Sequence, residues 1–343
     1  MRTDLMDRVI TDSSVDWERL QGSSILITGG TGLVGSIITR SLLYANEKLG
    51  LDTKITIVTR RASKVAELFG NSNAVTAVEA DIREISAIEG HFDHIIHCAA
   101  VTSSRTMVEQ PVETIDLAYN GTLEVLKLAA RSGVKGMVYV SSMEIYGMCD
   151  ASMNPVTEDK LGAVDLRNVR SSYQEGKRIC ELLCNCYSHE YKVPVVSARL
   201  AQTFGYGVSK DEGRVFAQFA KSALNGEDIV LHTKGMSVGN YVDTLDMASA
   251  ILCLLTRGEP GRAYNVANEA NSCHIYEMAQ LCADRIGGGR IKVVYDIPES
   301  NVHGYAPDTE MRLDASLLRS LGWNPRFSLE DMYRNMIDYW KES

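Results

Sequence analysis

The strongest constraint on what this chain can fold into is the stretch from Ser24 to Ser36, Ser-Ile-Leu-Ile-Thr-Gly-Gly-Thr-Gly-Leu-Val-Gly-Ser. Ile25, Leu26 and Ile27 form the unbroken apolar run of a parallel strand buried on both faces. Leu33, Val34, Ile37, Ile38 and Leu42 then recur with helical spacing. A strand, a glycine turn and a helix therefore follow one another directly. Gly29, Gly32 and Gly35 fall at intervals of three, which lengthens the first gap of the G-x-G-x-x-G dinucleotide fingerprint by one residue. The physical demand is similar: a tight turn, a backbone that approaches a pyrophosphate, and a helix seated close to its strand. Glycine-rich turns also merely end strands. The strand before this one and the helix after it favour dinucleotide binding.

The alternation continues downstream. Residues 54–61 read as a strand ending in Thr59, Arg60 and Arg61, and residues 74–79 as a strand leading to Asp81-Ile82-Arg83. Residues 92–98 end in His97-Cys98-Ala99-Ala100, where small side chains at a strand's carboxyl end leave room for a ligand. A helix over 112–132 and a strand over 136–141 follow. Strands separated by helices predict an α/β fold, a doubly wound parallel sheet of the Rossmann type with right-handed crossovers. Residues 1–21 read as a short capping segment with a helical turn at 16–20. The expected division is a dinucleotide-binding domain of residues 1–201 and 241–267, with a smaller C-terminal substrate lobe of residues 202–240 and 268–343.

Composition removes several classes of function. With 343 residues, 45% hydrophobic and 23% charged, the chain matches ordinary globular proteins. A net charge of −9 argues against a nucleic-acid groove, while leaving room for a small anionic ligand held by local arginines. No apolar run reaches about eighteen residues, and the first twenty residues are polar and acidic. Neither a membrane span nor a secretory leader is expected, and the expected location is cytoplasmic. The eight cysteines form no C-x-x-C pair, and Cys180, Cys184 and Cys186 share one predicted helix. Reduced, mostly buried thiols are favoured over a metal site.

Two further stretches carry chemistry. Val140-Ser-Ser-Met-Glu-Ile-Tyr-Gly147 places the Ser141 and Ser142 hydroxyls at the mouth of the sheet. Ser171-Ser-Tyr-Gln-Glu-Gly-Lys-Arg178 opens a helix in which Tyr173 and Lys177, four apart, share one face. An ammonium one turn from a phenol favours the phenolate and lowers its pKa from about 10 toward neutrality, which makes a usable general base. Alone, such a pair is ordinarily solvated surface. After the glycine turn and the Ser-Ser strand end, it reads as catalytic.

Thr28-Gly-Gly-Thr-Gly-Leu-Val-Gly35, Asp81-Ile-Arg83, His97-Cys-Ala-Ala100, Ser141-Ser-Met-Glu-Ile-Tyr-Gly147 and Tyr173-Gln-Glu-Gly-Lys177 together resemble the extended short-chain dehydrogenase/reductase family. Within it the resemblance is to the nucleotide-sugar epimerases, dehydratases and decarboxylases. Arg199-Leu-Ala-Gln-Thr-Phe-Gly205, Asp211-Glu-Gly-Arg-Val-Phe216, Asn240-Tyr-Val-Asp243, Ala263-Tyr-Asn-Val-Ala267 and Leu321-Gly-Trp-Asn-Pro325 are similar to segments of UDP-glucuronate decarboxylases.

The resemblance implies that Gly29, Gly32, Leu33 and Val34 hold the cofactor's pyrophosphate, with Gly35 in the same turn. It also implies that Asp81 and Ile82 meet the adenine and that Ala99 lies along the cofactor. Ser142 and Tyr173 would meet the sugar hydroxyl, with Lys177 on the nicotinamide ribose and Glu144 as a further catalytic carboxylate. Ser103, Ser142, Gln202, Arg214 and Arg312 would bind substrate. The implied reaction is transient oxidation of a nucleoside-diphosphate sugar at C4. Position 143 helps to choose the fate of the ketone: 4,6-dehydratases carry Asp-Glu where this chain has Met143-Glu144, and a thioether donates no proton. Epimerisation or decarboxylation is therefore expected over dehydration. An NADPH-dependent 4-keto-sugar reductase, and a non-catalytic dinucleotide-binding protein on the same fold, stand as alternatives.

Three departures from the family pattern are Gln202 for asparagine, Gly239 for arginine and Ala118 for asparagine. The strand that ends at Thr59 carries Arg60 and Arg61 instead of the acid that reads an unphosphorylated ribose. This leans the expected cofactor to NADP, with NAD close behind. A homodimer is expected through the helices near 112–132 and 172–191, whose apolar residues include Leu123, Leu126, Leu182 and Leu183.

Overall fold

The computed structural model describes residues 3–298 and 308–342. Its first six strands are β1 (Ser24–Thr28), β2 (Lys54–Thr59), β3 (Val75–Glu79), β4 (His94–His97), β5 (Gly136–Ser142) and β6 (Val195–Leu200). Six more follow: β7 (Gln202–Phe204), β8 (Ile229–Leu231), β9 (Val238–Asp243), β10 (Ala263–Val266), β11 (Asn268–His274) and β12 (Val293–Tyr295). Seven of them form one sheet in the order β10-β6-β5-β4-β1-β2-β3, and every neighbouring pair is parallel. The chain builds outward from β1 to β3 and then returns to lay β4 on the other side of β1. The strand order thus reverses between β1 and β4, and that is where an open α/β sheet leaves a crevice at its carboxyl edge.

The sheet forms because β1, β4 and β6 are buried almost throughout and helices cover both faces. Leu26, Ile95 and Met137 pack under one layer and Ile25, Ile27 and Ile96 under the other. The Leu33–Leu49 helix stops at Gly50 and the Pro111–Ser132 helix at Gly133, both left-handed glycines with φ of +66° and +59°. Proline at the start of the second helix suits a turn whose N–H groups have no intrahelical acceptor. The helical turn expected at 16–20 is present as Trp17–Leu20. Residues Thr3–Ile10 are also helical, burying Leu5, Met6 and Val9, where the sequence shows only a capping segment.

A second core gathers Phe204, Phe216, Tyr241, Met278, Met332, Tyr333 and Trp340, with the Phe204 and Phe216 rings stacked at 4.3 Å. Above it β7 and β11 flank β9, and β8 pairs with β12. Leu313, Leu318, Trp323 and Phe327 pack into the first core instead. Asp246 clasps that segment, its carboxylate accepting the backbone N–H of Arg326 at 3.0 Å and of Phe327 at 3.1 Å. Among the described residues no helix is long and apolar enough to cross a membrane.

Candidate active site

Gly29 leaves β1 in the left-handed region, and a Cβ there would come 2.8 Å from the backbone N of Ala99. The ends of β1 and β4 meet too closely for any side chain. Gly35 closes the turn from the other side, since its Cβ would lie 2.5 Å from the Gly29 carbonyl oxygen. Gly32 differs: a Cβ would meet only that same oxygen at 3.4 Å. No side chain caps the Leu33–Leu49 helix, which begins on Gly32. The helix therefore presents an uncapped N-terminus beside open space at the crevice, which suits an anion. These residues fit the pyrophosphate of a dinucleotide, with Leu33 and Val34 in the first turn.

At the other end of the crevice, Asp81 accepts from the Arg83 backbone N and Nε at 2.9 Å each and from Nη2 at 2.8 Å. Those bonds hold its carboxyl down at about 2. Arg83 continues to Asp116 at 2.7 Å and Glu113 at 3.2 Å, which ties the loop to the Pro111–Ser132 helix. Ile82 is buried against Gly121 of that helix. Arg60 and Arg61 are exposed at the end of β2. The sequence shows no acid on that strand, but the register sets Glu79 of β3 opposite Thr59. Glu79 accepts the Ala62 N–H at 2.8 Å, so a carboxylate does stand beside the arginines.

The third group converges at the end of β5. The Ser142 hydroxyl lies close enough to the Tyr173 phenol to favour its ionised form, and Ser142 Oγ accepts the Glu144 N–H at 3.2 Å. Lys177 is buried, and its Nζ donates to the Val140 carbonyl at 2.7 Å, 5.8 Å from the centre of the Tyr173 ring. A small cavity between these helices and the end of β4 is lined by Ala99, Ala100, Ala118, Thr122, Tyr139, Tyr173 and Lys177.

The phenol departs from the sequence expectation of a pKa lowered toward neutrality. Burial, and next the Glu144 charge, push Tyr173 up to about 12, against opposition from the Ser142 hydroxyl, Arg170 and Arg214. Lys177 is directed at a carbonyl, and burial pushes its own pKa down. Desolvation of the phenolate outweighs its charge partners.

The remaining expected residues are dispersed around this centre. Ser103 is exposed, its hydroxyl accepting the Thr106 N–H at 3.3 Å to cap the Ser104–Glu109 helix. Gln202 begins β7 and is half-buried. Arg214 pairs with Glu212 at 2.7 Å, lies over the Phe216 ring, and still projects charge onto Tyr173. Arg312 lies 3.8 Å from Glu310. Its backbone N–H donates to Asn154 at 2.8 Å, and its charge reaches Cys273, the register partner of Gly239. Position 239 has no room for a side chain, because a Cβ would run into the Tyr241 phenol. Ala118 supports close helix packing, since a Cβ on Gly176 would meet it at 3.3 Å.

Two residues without an assigned role in the sequence belong to the site. His97 is fully tethered beneath Ala99: Nδ1 lies 2.7 Å from Thr28 Oγ1 and Nε2 3.0 Å from Thr122 Oγ1. Thr28 Oγ1 in turn accepts the Ala99 N–H at 3.2 Å. Burial pushes the imidazole down to about 3, so His97 is a neutral strut. Arg170 pairs with Glu144 at 2.8 Å, three-quarters buried, with its guanidinium carbon 5.7 Å from the centre of the Tyr173 ring.

The chain has relatives over most of its length. The model of the NAD dependent epimerase/dehydratase family matches residues 25–267. The chain belongs to that family. UDP-glucuronic acid decarboxylase 1 of Xenopus tropicalis is 30% identical over 323 residues, covering 93% of this chain and 72% of the relative. Among solved structures, the family fold recurs in UDP-glucose 4-epimerase of Thermotoga maritima, determined with UDP-glucose. It superposes with a TM-score of 0.78 at 21% identity, covering 93% of this chain and 99% of the other. The dTDP-glucose 4,6-dehydratase of Bacillus anthracis, in complex with NAD, superposes with a TM-score of 0.74 at 20% identity, covering 94% and 97%.

Proposed function

We propose that the chain oxidises a nucleoside-diphosphate sugar transiently at C4, and that the ketone is then decarboxylated or epimerised. The observation that carries this reading is the Ser142–Tyr173 hydroxyl pair with Lys177 beside it, at the carboxyl end of β5 and across the crevice from the glycine turn. Gly29, Gly32, Asp81 and Ala99 would hold a nicotinamide dinucleotide, which would supply a reversible hydride acceptor. In its ionised form Tyr173 Oη takes the proton of the sugar hydroxyl, and Ser142 Oγ hydrogen-bonds the same oxygen. Arg214, whose charge reaches Tyr173, would attract the anionic end of the substrate in exchange for Glu212. Met143 packs against the first core, leaving no acid at that position to expel a hydroxyl, which disfavours 4,6-dehydration. A carboxylate at C6 stands β to a C4 ketone, so carbon dioxide leaves as its electron pair passes to the C4 oxygen held by Tyr173 and Ser142. That UDP-glucuronic acid decarboxylases stand among the relatives, at 27–30% identity, supports that fate.

The test is incubation with a panel of nucleotide sugars, with NAD and NADP separately, and mass spectrometry of the products. Loss of carbon dioxide from UDP-glucuronate, or isomerisation of a neutral sugar, is expected. Tyr173→Phe removes the acceptor and keeps the ring, so its turnover is expected to fall at least about a hundredfold while dinucleotide binding persists. An unaltered panel with the wild-type protein, or near-normal turnover in the variant, overturns the reading.

A further inference from the structure

Tyr173 is faced by charge from four places: Glu144 after β5, Arg170 before the Ser171–Tyr191 helix, Lys177 one turn along that helix, and Arg214 before the Val215–Asn225 helix. Two of these are occupied elsewhere, since Lys177 Nζ donates to the Val140 carbonyl and Arg214 pairs with Glu212. Glu144 and Arg170 occupy each other: Arg170 Nη2 lies 3.0 Å from Glu144 Oε1 and 2.8 Å from Oε2. Nη1 of the same guanidinium is buried with no hydrogen-bond partner. Its carbon lies over the Tyr173 ring face, the geometry of a cation–π contact.

We infer that Arg170 is a positioning residue for the reaction: it pins Glu144 and lies on the Tyr173 ring, so that the carboxylate beside the proton acceptor carries its own counter-charge when the phenol ionises. The inference rests on the reading of Tyr173 as that acceptor. The Glu144 backbone N–H bonds to Ser142 Oγ, so the residue that places an anion near Tyr173 is bound to the hydroxyl that shares its substrate oxygen. An uncompensated anion there opposes ionisation of the phenol, and burial already pushes Tyr173 up. Arg170 cancels that field locally. At an effective dielectric of about 20, one unbalanced charge some 6 Å away moves an ionisation midpoint by about one to two pH units. Arginine suits the role because its plane forks to a carboxylate at one edge while its face lies on a ring.

The experiment places 3,5-difluorotyrosine at position 173 in the NAD-loaded protein and follows its fluorine resonance against pH. It does so in the wild type, Arg170→Gln, Arg170→Lys, Glu144→Gln and the Arg170→Gln/Glu144→Gln double variant. Arg170→Gln is expected to raise the midpoint by about one unit. Arg170→Lys should recover at least half of that shift. Glu144→Gln should lower the midpoint, and the double variant should return close to wild type. An unchanged midpoint in Arg170→Gln overturns the inference, as does a rise that persists in the double variant. If Arg170→Gln does not fold, the Glu144→Gln shift decides: a lowered midpoint supports the pairing and an unchanged one overturns it. The titration needs no substrate, so a failure of the nucleotide-sugar reading appears in the substrate panel and a failure of the ion pair appears here.

Discussion

At the scale of single residues, the end of β2 sets two arginines against one glutamate. Arg60 and Arg61 are exposed with guanidinium groups suited to a 2′-phosphate. Glu79, on the neighbouring strand, is an acid of the kind that accepts from ribose hydroxyls, although the Ala62 N–H already engages it. With two cations against one engaged anion, NADP is expected to bind somewhat tighter than NAD, and Arg60→Ala to weaken NADP several-fold while leaving NAD nearly unchanged. Equilibrium titration with each cofactor checks this, and tighter NAD binding that ignores Arg60→Ala refutes it. The case also shows which residue roles are legible in the sequence. Tyr173 and Lys177 are one helical turn apart, so spacing alone places them together. Glu79 beside Thr59, His97 between Thr28 and Thr122, and Arg170 against Glu144 are each brought together by strand pairing or loop closure. No local spacing rule joins them. Helical spacing likewise shows the ammonium near Tyr173 but neither the burial of the phenol nor the Val140 carbonyl that takes the lysine.

At the scale of elements, the glycine turn makes separable demands that its four glycines divide. Gly35→Ala would drive a methyl group against the Gly29 carbonyl and the Gly30 Cα, at 2.5 Å and 2.7 Å. Both are backbone atoms that give only if the helix moves off the strand. Alanine's higher helix propensity returns up to about 1 kcal/mol, while overpacking of this kind costs about 1 to 3 kcal/mol. A net loss of stability in urea denaturation is therefore expected, and a gain would show that the helix is not seated on the turn. Gly32→Ala meets open space instead. It is expected to leave stability nearly unchanged while weakening dinucleotide binding at least about tenfold, because its methyl group would stand where the pyrophosphate approaches. This part of the fold was legible because strand, turn and helix are contiguous. The Thr3–Ile10 helix was not, since its buried face of Leu5, Met6 and Val9 is too short for periodicity to separate it from a loop.

At the scale of the whole molecule, the two long helices beside the site leave an apolar face exposed among the described residues. The Pro111–Ser132 and Ser171–Tyr191 helices pack side by side, closely enough that Cys180 Sγ lies 3.1 Å from the Ala118 carbonyl oxygen. Of the residues the sequence offered for a dimer, Leu126 is buried in the protein's own core and Leu123 and Leu183 are half-buried. Leu182 is 56% exposed. It is joined by Val112 at 80% exposure and by Ile115, Tyr119 and Ile179, which recur at helical spacing along the two helices. Sequence periodicity identified both helices as amphipathic. It did not divide their apolar residues between the sheet and the outside, because a helix buried on two sides carries two apolar stripes. A second copy placing the same pair of helices against this face buries each stripe in a two-fold, self-complementary contact. Light scattering at micromolar concentration is expected to give twice the 37.8 kDa chain mass, and Leu182→Glu, which sets a charge in the middle of the contact, to shift the protein toward monomer. A wild-type protein that scatters as a monomer refutes the pairing, and a Leu182→Glu protein that remains fully dimeric moves the interface to another surface.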